Sequence, residues 1–209
     1  MTSLRRSIQE GVLFLALESD DGLPKLSRAV MEEIGREFAV FAVATDVLGC
    51  VLTGTEKAFA AGADIDEISQ LTSVQAHEFS RAGQAVMRAV AESGKPVLAA
   101  VRGYCMGGGF DLALACHSRV ATADAVFAHP GGAIGILTGW GGTQRLARLI
   151  GRAQAPEILI TGRRVHAADA LACGLVEAIL PEGDLLPSAA ARVRAIARRW
   201  NEPHGRIPE

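Results

Sequence analysis

The chain has 209 residues, with 21 Lys and Arg against 23 Asp and Glu and a formal net charge of -2; that length buries a sizeable core and fits one domain with a small helical annex. A balanced charge and a pI near 6.2 leave no extended basic surface for a nucleic acid backbone. Apolar residues make up 49% of the chain, yet the longest apolar runs, 12–17 and 38–44, fall far short of the roughly 18 residues of a membrane span. The first twenty residues carry no signal-peptide pattern, so a cytoplasmic protein with neither nucleic acid nor membrane partners is the expectation. Cys50, Cys105, Cys116 and Cys173 show no C-x-x-C spacing and read as reduced thiols packed in a core, with no metal implied.

In chain order, 11–19 reads as a strand and 24–41 as a helix begun by Pro24, with Leu26, Val30, Ile34 and Phe38 near helical spacing. The run 47–54 is a buried strand closed by a glycine turn. A helix over 73–92 follows, then a break at Gly94-Lys95-Pro96, a strand at 97–101, and a glycine turn into a helix beginning near Gly108. Strands at 117–121 and 125–128, helices at 140–150 and 153–161, a strand at 175–180 and a helix at 184–200 complete the predicted set. Strands alternating with amphipathic helices define an α/β fold with a largely parallel, helix-covered sheet. The predicted division is a core over 1–182 and a C-terminal helix and tail over 183–209.

Two stretches bring small residues to a strand end or helix start, where free N–H groups and the positive end of the helix dipole converge. One is Ala60, Ala61, Gly62 and Ala63; the other is Gly107, Gly108 and Gly109. Two such loops can aim two N–H donors at one oxygen, which is an oxyanion hole. Tight helix packing explains glycine triplets equally well. The spacing does not fit the dinucleotide pattern G-x-G-x-x-G, and neither G-x-x-x-x-G-K-[ST] nor G-x-S-x-G occurs. Asp111 lies one helical turn beyond Gly108; a carboxylate beside an apolar helix acquires a raised pKa suited to proton transfer, although an acid there also simply favours the dipole.

The segments 50-CVLTGTEKAFAAGADIDEI-68, 95-KPVLAAVRGYCMGGGFDLALACHSRVAT-122, 127-FAHPGGAIGILTGWGGTQRLARLIG-151 and 160-ITGRRVHAADALACGLVEAILP-181 resemble the enoyl-CoA hydratase/isomerase (crotonase) superfamily, in that family's order and spacing. The resemblance implies a crotonase-like spiral of ββα units with a shortened C-terminal helical region, a coenzyme A thioester as substrate with no further cofactor, and a homotrimer or a hexamer of trimers. It implies that the N–H groups of Ala63 and Gly108 hold the thioester oxygen. Ala61, Asp64 and Ile65, with Gly62 and Gly107 beside them, would run along the CoA moiety, and Gly139 and Trp140 would border the acyl pocket. Asp111 takes the place of the first of the family's two hydratase glutamates. The second falls on Gly131, and no carboxylate stands between 125 and 156.

His129, two residues before that gap, is the candidate to replace the missing acid if the strand stays regular through Pro130. Lys25 or Lys57 is the candidate phosphate contact, because the family's usual loop is altered to Pro24, Lys25 and Leu26. His77, His117 and His166 read as surface or capping groups, and the basic run 145–152 as a solvated face or subunit contact. The expected activity is hydration or double-bond isomerisation of an acyl-CoA. Alternatives are acyl-CoA decarboxylation, thioester hydrolysis, or CoA binding without turnover.

Overall fold

The computed structural model describes residues 1–200; the predicted tail over 201–209 lies outside them. The chain opens with an antiparallel hairpin, β1 (Thr2–Gln9) and β2 (Val12–Ser19), turned at Glu10 and Gly11, both at positive φ. Then come β3 (Lys25–Leu26), α1 (Arg28–Val43), β4 (Gly49–Thr53), β5 (Ala58–Ala60), β6 (Gly62–Ala63), α2 (Ile65–Ser69), α3 (Ser73–Ala91), β7 (Val97–Val101), β8 (Tyr104–Met106) and α4 (Gly108–Ala115). The second half holds β9 (Ser118–Ala121), β10 (Val126–Ala128), a 3₁₀ turn (Pro130–Ile134), α5 (Gly142–Ile150), α6 (Ala155–Thr161), β11 (Val165–His166), α7 (Ala167–Ala172), β12 (Ala178–Ile179) and α8 (Leu185–Trp200).

Three times a strand of one sheet is followed by a strand of the other: β4 by β5, β7 by β8, β9 by β10. The large sheet has the order β1-β2-β4-β7-β9-β12, parallel except at β1–β2, and the smaller one β11-β10-β8-β5. β3 pairs with β6 by itself. This is the expected spiral. The central strands β4, β7 and β9 are buried at every residue, as parallel strands covered on both faces must be. Alternation sorts their side chains: Leu13, Leu15, Cys50, Leu52, Val97 and Ala99 face the core under α1 and α3, while Val12, Val51, Leu98, Ala100 and Val120 meet Leu185, Ala189 and Val193 of α8.

Several boundaries differ from the predicted ones. The first helix does not begin at Pro24: Lys25 and Leu26 pair with Gly62 and Ala63, and Ser27 caps α1 by accepting from the Val30 N–H at 3.4 Å. The predicted strand over 175–180 shrinks to Ala178–Ile179. β10 ends at Ala128 and the chain turns into a 3₁₀ helix at Pro130, so no regular strand carries 129 and 131 together. The four thiols are free, three of them buried, and no helix among the described residues is long and apolar enough to cross a membrane.

Candidate active site

The two small-residue stretches meet. Gly107 precedes α4 at φ +49, and Gly62 sits at φ +108, a region that strains residues with a Cβ. A Cβ on Gly62 would lie 3.8 Å from the Gly108 nitrogen, and a Cβ on Gly108 would lie 3.4 Å from the Ala63 nitrogen. The positive φ disfavours a side chain at Gly62, and a Cβ on Gly108 would stand 2.4 Å from the Trp140 ring. As the first residue of α4, Gly108 carries one of the amides that has no acceptor within the helix.

Asp111, in the first turn of α4, is 0% exposed. Its two oxygens have different surroundings. Oδ2 accepts a hydrogen bond from the Thr138 hydroxyl. Oδ1 has no protein hydrogen-bond partner and lies 3.5 Å from Nε2 of His129. A Cβ on Gly142 would stand 2.0 Å from that oxygen, so the first residue of α5 must be glycine for the carboxylate to fit. Burial pushes the Asp111 carboxyl up from 3.8 to about 6; the Thr138 hydroxyl, the N–H groups of Trp140 and Gly142, and the Arg145 guanidinium oppose the rise. The acid expected beside an apolar helix is wholly enclosed.

His129 is 3% exposed and stacks on Phe110, with ring centroids 4.8 Å apart. Neither ring nitrogen has a protein partner, and burial lowers its pKa to about 4. His77 and His166 are exposed and His117 bonds backbone groups, accepting from Val97 N–H and lying 3.0 Å from Ala91 O.

Trp140, 4% exposed, spans from α3 to α4: Cβ atoms on Gly83 and Gly108 would lie 2.0 and 2.4 Å from its indole. Phe79 packs on it at 5.3 Å. Gly139 is tied to α3 through Gln84, whose amide donates to its carbonyl at 2.7 Å. Gly131 is not a site where a side chain was merely lost, because a Cβ there would stand 2.4 Å from the carbonyl oxygen of Ile136.

Lys25 faces two carboxylates, Asp64 at 3.8 Å and Asp66 at 3.6 Å. With Ser27, Arg36 and Asp64 it lines a cleft of about 660 Å³. The β3–β6 pairing sets Lys25 opposite Gly62 and Leu26 opposite Ala63. Asp64 also caps α2, and Ile65 is exposed. Lys57 is drawn to the Asp21 carbonyl at 3.0 Å. A larger groove of about 1120 Å³ runs past Arg5, Phe14, Arg102 and Arg194 beside α8 and holds none of these residues.

Two site residues escaped sequence reasoning. Thr138 lies in a loop with no pattern to mark it. Arg145 was assigned to a solvated basic face or a subunit contact; it is half-buried within the chain, donating to the Trp140 carbonyl at 3.1 Å with its charge acting on Asp111.

A spiral of ββα units whose paired small-residue loops flank a buried helix-borne acid defines a crotonase-type protein. The chain matches the enoyl-CoA hydratase/isomerase family over residues 7–203, and it belongs to that family. It is 39% identical over 146 residues to the short-chain-enoyl-CoA hydratase of Clostridium acetobutylicum, a match covering 69% of this chain and 56% of the relative. To the crotonyl-CoA hydratase of Syntrophomonas wolfei it is 41% identical over 150 residues, 71% of this chain and 56% of the relative. The crystal structure of enoyl-CoA hydratase from Bacillus anthracis superposes with a TM-score of 0.87 at 34% identity, covering 94% of this chain and 76% of that one. The chain thus spans a little over half the length of these two curated relatives.

Proposed function

We propose that the protein polarises the carbonyl of an acyl-CoA thioester between the N–H groups of Ala63 and Gly108 and moves a proton with Asp111. One observation carries this reading: the two small-residue loops lie so close that a Cβ on Gly108 would touch the Ala63 nitrogen, and a fully buried carboxylate lies one helical turn beyond them. As the thioester becomes an enolate, its oxygen gains charge. Two fixed donors aimed at it stabilise the transition state more than the ground state, each worth roughly 3 kcal/mol. With a pKa near 6, Asp111 is ionised at pH 7 and serves as the base that takes a proton from carbon and returns it. Lys25, Arg36 and Asp64 line the cleft that suits the CoA nucleotide, and in this reading Ala61, Gly62, Ile65 and Gly107 run between it and the amides. Gly139 and Trp140 bound the acyl side.

The reaction that fits is a one-carboxylate proton shuttle, such as double-bond isomerisation. Syn-hydration through two carboxylates fits poorly, because the backbone at Gly131 is closed against a side chain. CoA binding without turnover is a second reading, favoured by the 0% exposure of Asp111. Assembly as a trimer suits the exposed Ile134, Leu137 and Ile160 near the site. Incubation with 3-butenoyl-CoA, followed by gain of enone absorbance as the double bond moves into conjugation, beside calorimetry with acetyl-CoA separates the readings. Turnover abolished by Asp111→Asn supports the enzyme, binding without turnover supports the second reading, and no binding defeats both.

A further inference from the structure

We infer that Thr138 and His129 are positioning residues that split the Asp111 carboxylate into an anchored oxygen and a proton-carrying one, so that Asp111 and His129 hold the transferred proton together. The inference rests on the acyl-CoA reading above, and three observations carry it. The Thr138 hydroxyl donates to Oδ2, which fixes the carboxylate plane. Oδ1 is left without a hydrogen-bond partner, facing Nε2 of His129 at 3.5 Å. Both ring nitrogens of His129 are buried and unpaired, although the ring stacks on Phe110 as a phenyl group would.

Packing alone does not account for a histidine there. Two unpaired buried nitrogens are a net cost that phenylalanine would not incur. The groups around the pair are the Thr138 hydroxyl, the N–H groups of Trp140 and Gly142, the Arg145 guanidinium of α5 and the Phe110 ring of α4. The N–H groups, the guanidinium and the phenyl ring offer no basic lone pair, and the weakly basic Thr138 hydroxyl is directed at Oδ2. A proton that reaches Oδ1 therefore has one basic neighbour, Nε2.

The step balances. A C–H bond of the acyl group breaks, its electron pair enters the enolate held by the two amides, and the proton forms an O–H bond at Oδ1. That O–H donates to the neutral Nε2, and the proton then returns to a different carbon of the same substrate. His129 remains neutral to accept, which burial favours.

The test uses the whole chain in D₂O with butyryl-CoA, reading deuterium uptake at the α-carbon by mass spectrometry, beside calorimetry and thermal unfolding. His129→Phe is expected to slow uptake about a hundredfold, the low end of a general acid–base contribution, with butyryl-CoA affinity within about twofold and unfolding temperature raised. Thr138→Val is expected to slow uptake and move the acidic limb of its pH profile upward, since the lost hydrogen bond held the Asp111 carboxyl down. Uptake within twofold of wild type in His129→Phe, or a loss of uptake that tracks a loss of stability, overturns the inference. A substrate-free arm stands apart from the acyl-CoA reading. Following the Asp111 carboxyl by NMR, His129→Phe should lower its pKa, because the neutral Nε2 that accepts from its O–H is gone; an unchanged titration overturns the pairing even if the protein binds no thioester.

Discussion

Replacing Asp111 with asparagine removes a charge from the interior while keeping the shape and an acceptor for Thr138. The wild-type carboxyl is raised from 3.8 to about 6 by burial. Between those values the folded protein holds more protons than the unfolded chain, so the stability tied to this group is complete below pH 3.8 and declines as pH rises through about 6. At 1.36 kcal/mol per unit the ionised acid costs the fold about 3 kcal/mol at pH 7 and about 1.5 kcal/mol at pH 5. His129 titrates in the opposite sense. Its pKa of about 4 leaves it neutral in both folded proteins above pH 5, so it cancels from their difference. Urea unfolding at fixed ionic strength from pH 5 to 8 should therefore show Asp111→Asn more stable, by a margin that widens by about 1.5 kcal/mol up to pH 7 and then levels. A margin that is flat with pH, or that narrows as pH rises, would refute the claim that burial sets the Asp111 pKa. It would remove the reason to regard this acid as held at a cost to stability for the sake of chemistry.

Gly142→Ala should abolish isomerisation of 3-butenoyl-CoA, because its Cβ would stand 2.0 Å from Asp111 Oδ1 and displace the reacting carboxylate; steady-state kinetics reads the loss, and a circular dichroism spectrum checks that the fold survives. Trp140→Ala removes a nearly buried indole and should cost about 3–5 kcal/mol of stability, while octanoyl-CoA tightens relative to butyryl-CoA in calorimetry as space opens between Gly83 and Gly108. Unchanged chain-length preference would show that the indole does not bound the acyl group. Gly131→Glu should not install two-carboxylate hydration: the carbonyl of Ile136 is 2.4 Å from where its Cβ must go, and backbone overpacking of this kind costs about 1–3 kcal/mol, read as a lowered midpoint in urea.

How far the sequence reveals this protein depends on how local each determinant is. β7 occupies its predicted residues, 97–101, because an apolar run between Pro96 and Arg102 has only one way to lie in a buried parallel sheet. α3 was equally legible: Thr72 and Gln75 form a capping box, and Phe79, Gly83, Met87 and Val90 repeat on one face. β1 was missed because its outer position leaves Arg5, Arg6 and Gln9 in solvent and blurs the alternation. Pro24 was misread as a helix start because the competing signal, pairing of Lys25 and Leu26 with Gly62 and Ala63, comes from nearly forty residues away. The glycine loops and Asp111 stood out as a motif. The partners of Asp111 did not, since Thr138 and Arg145 reach it only through the folded course of the loop before α5.

The most direct test of the account concerns the thioester carbonyl itself. With butyryl-CoA carrying ¹³C at the carbonyl, infrared difference spectroscopy reads the bond between the proposed amides of Ala63 and Gly108. Binding should move the carbonyl band to lower frequency than in water, by an amount that Asp111→Asn leaves largely intact. A carbonyl band at its solution frequency in a complex that calorimetry shows to be formed would contradict the account.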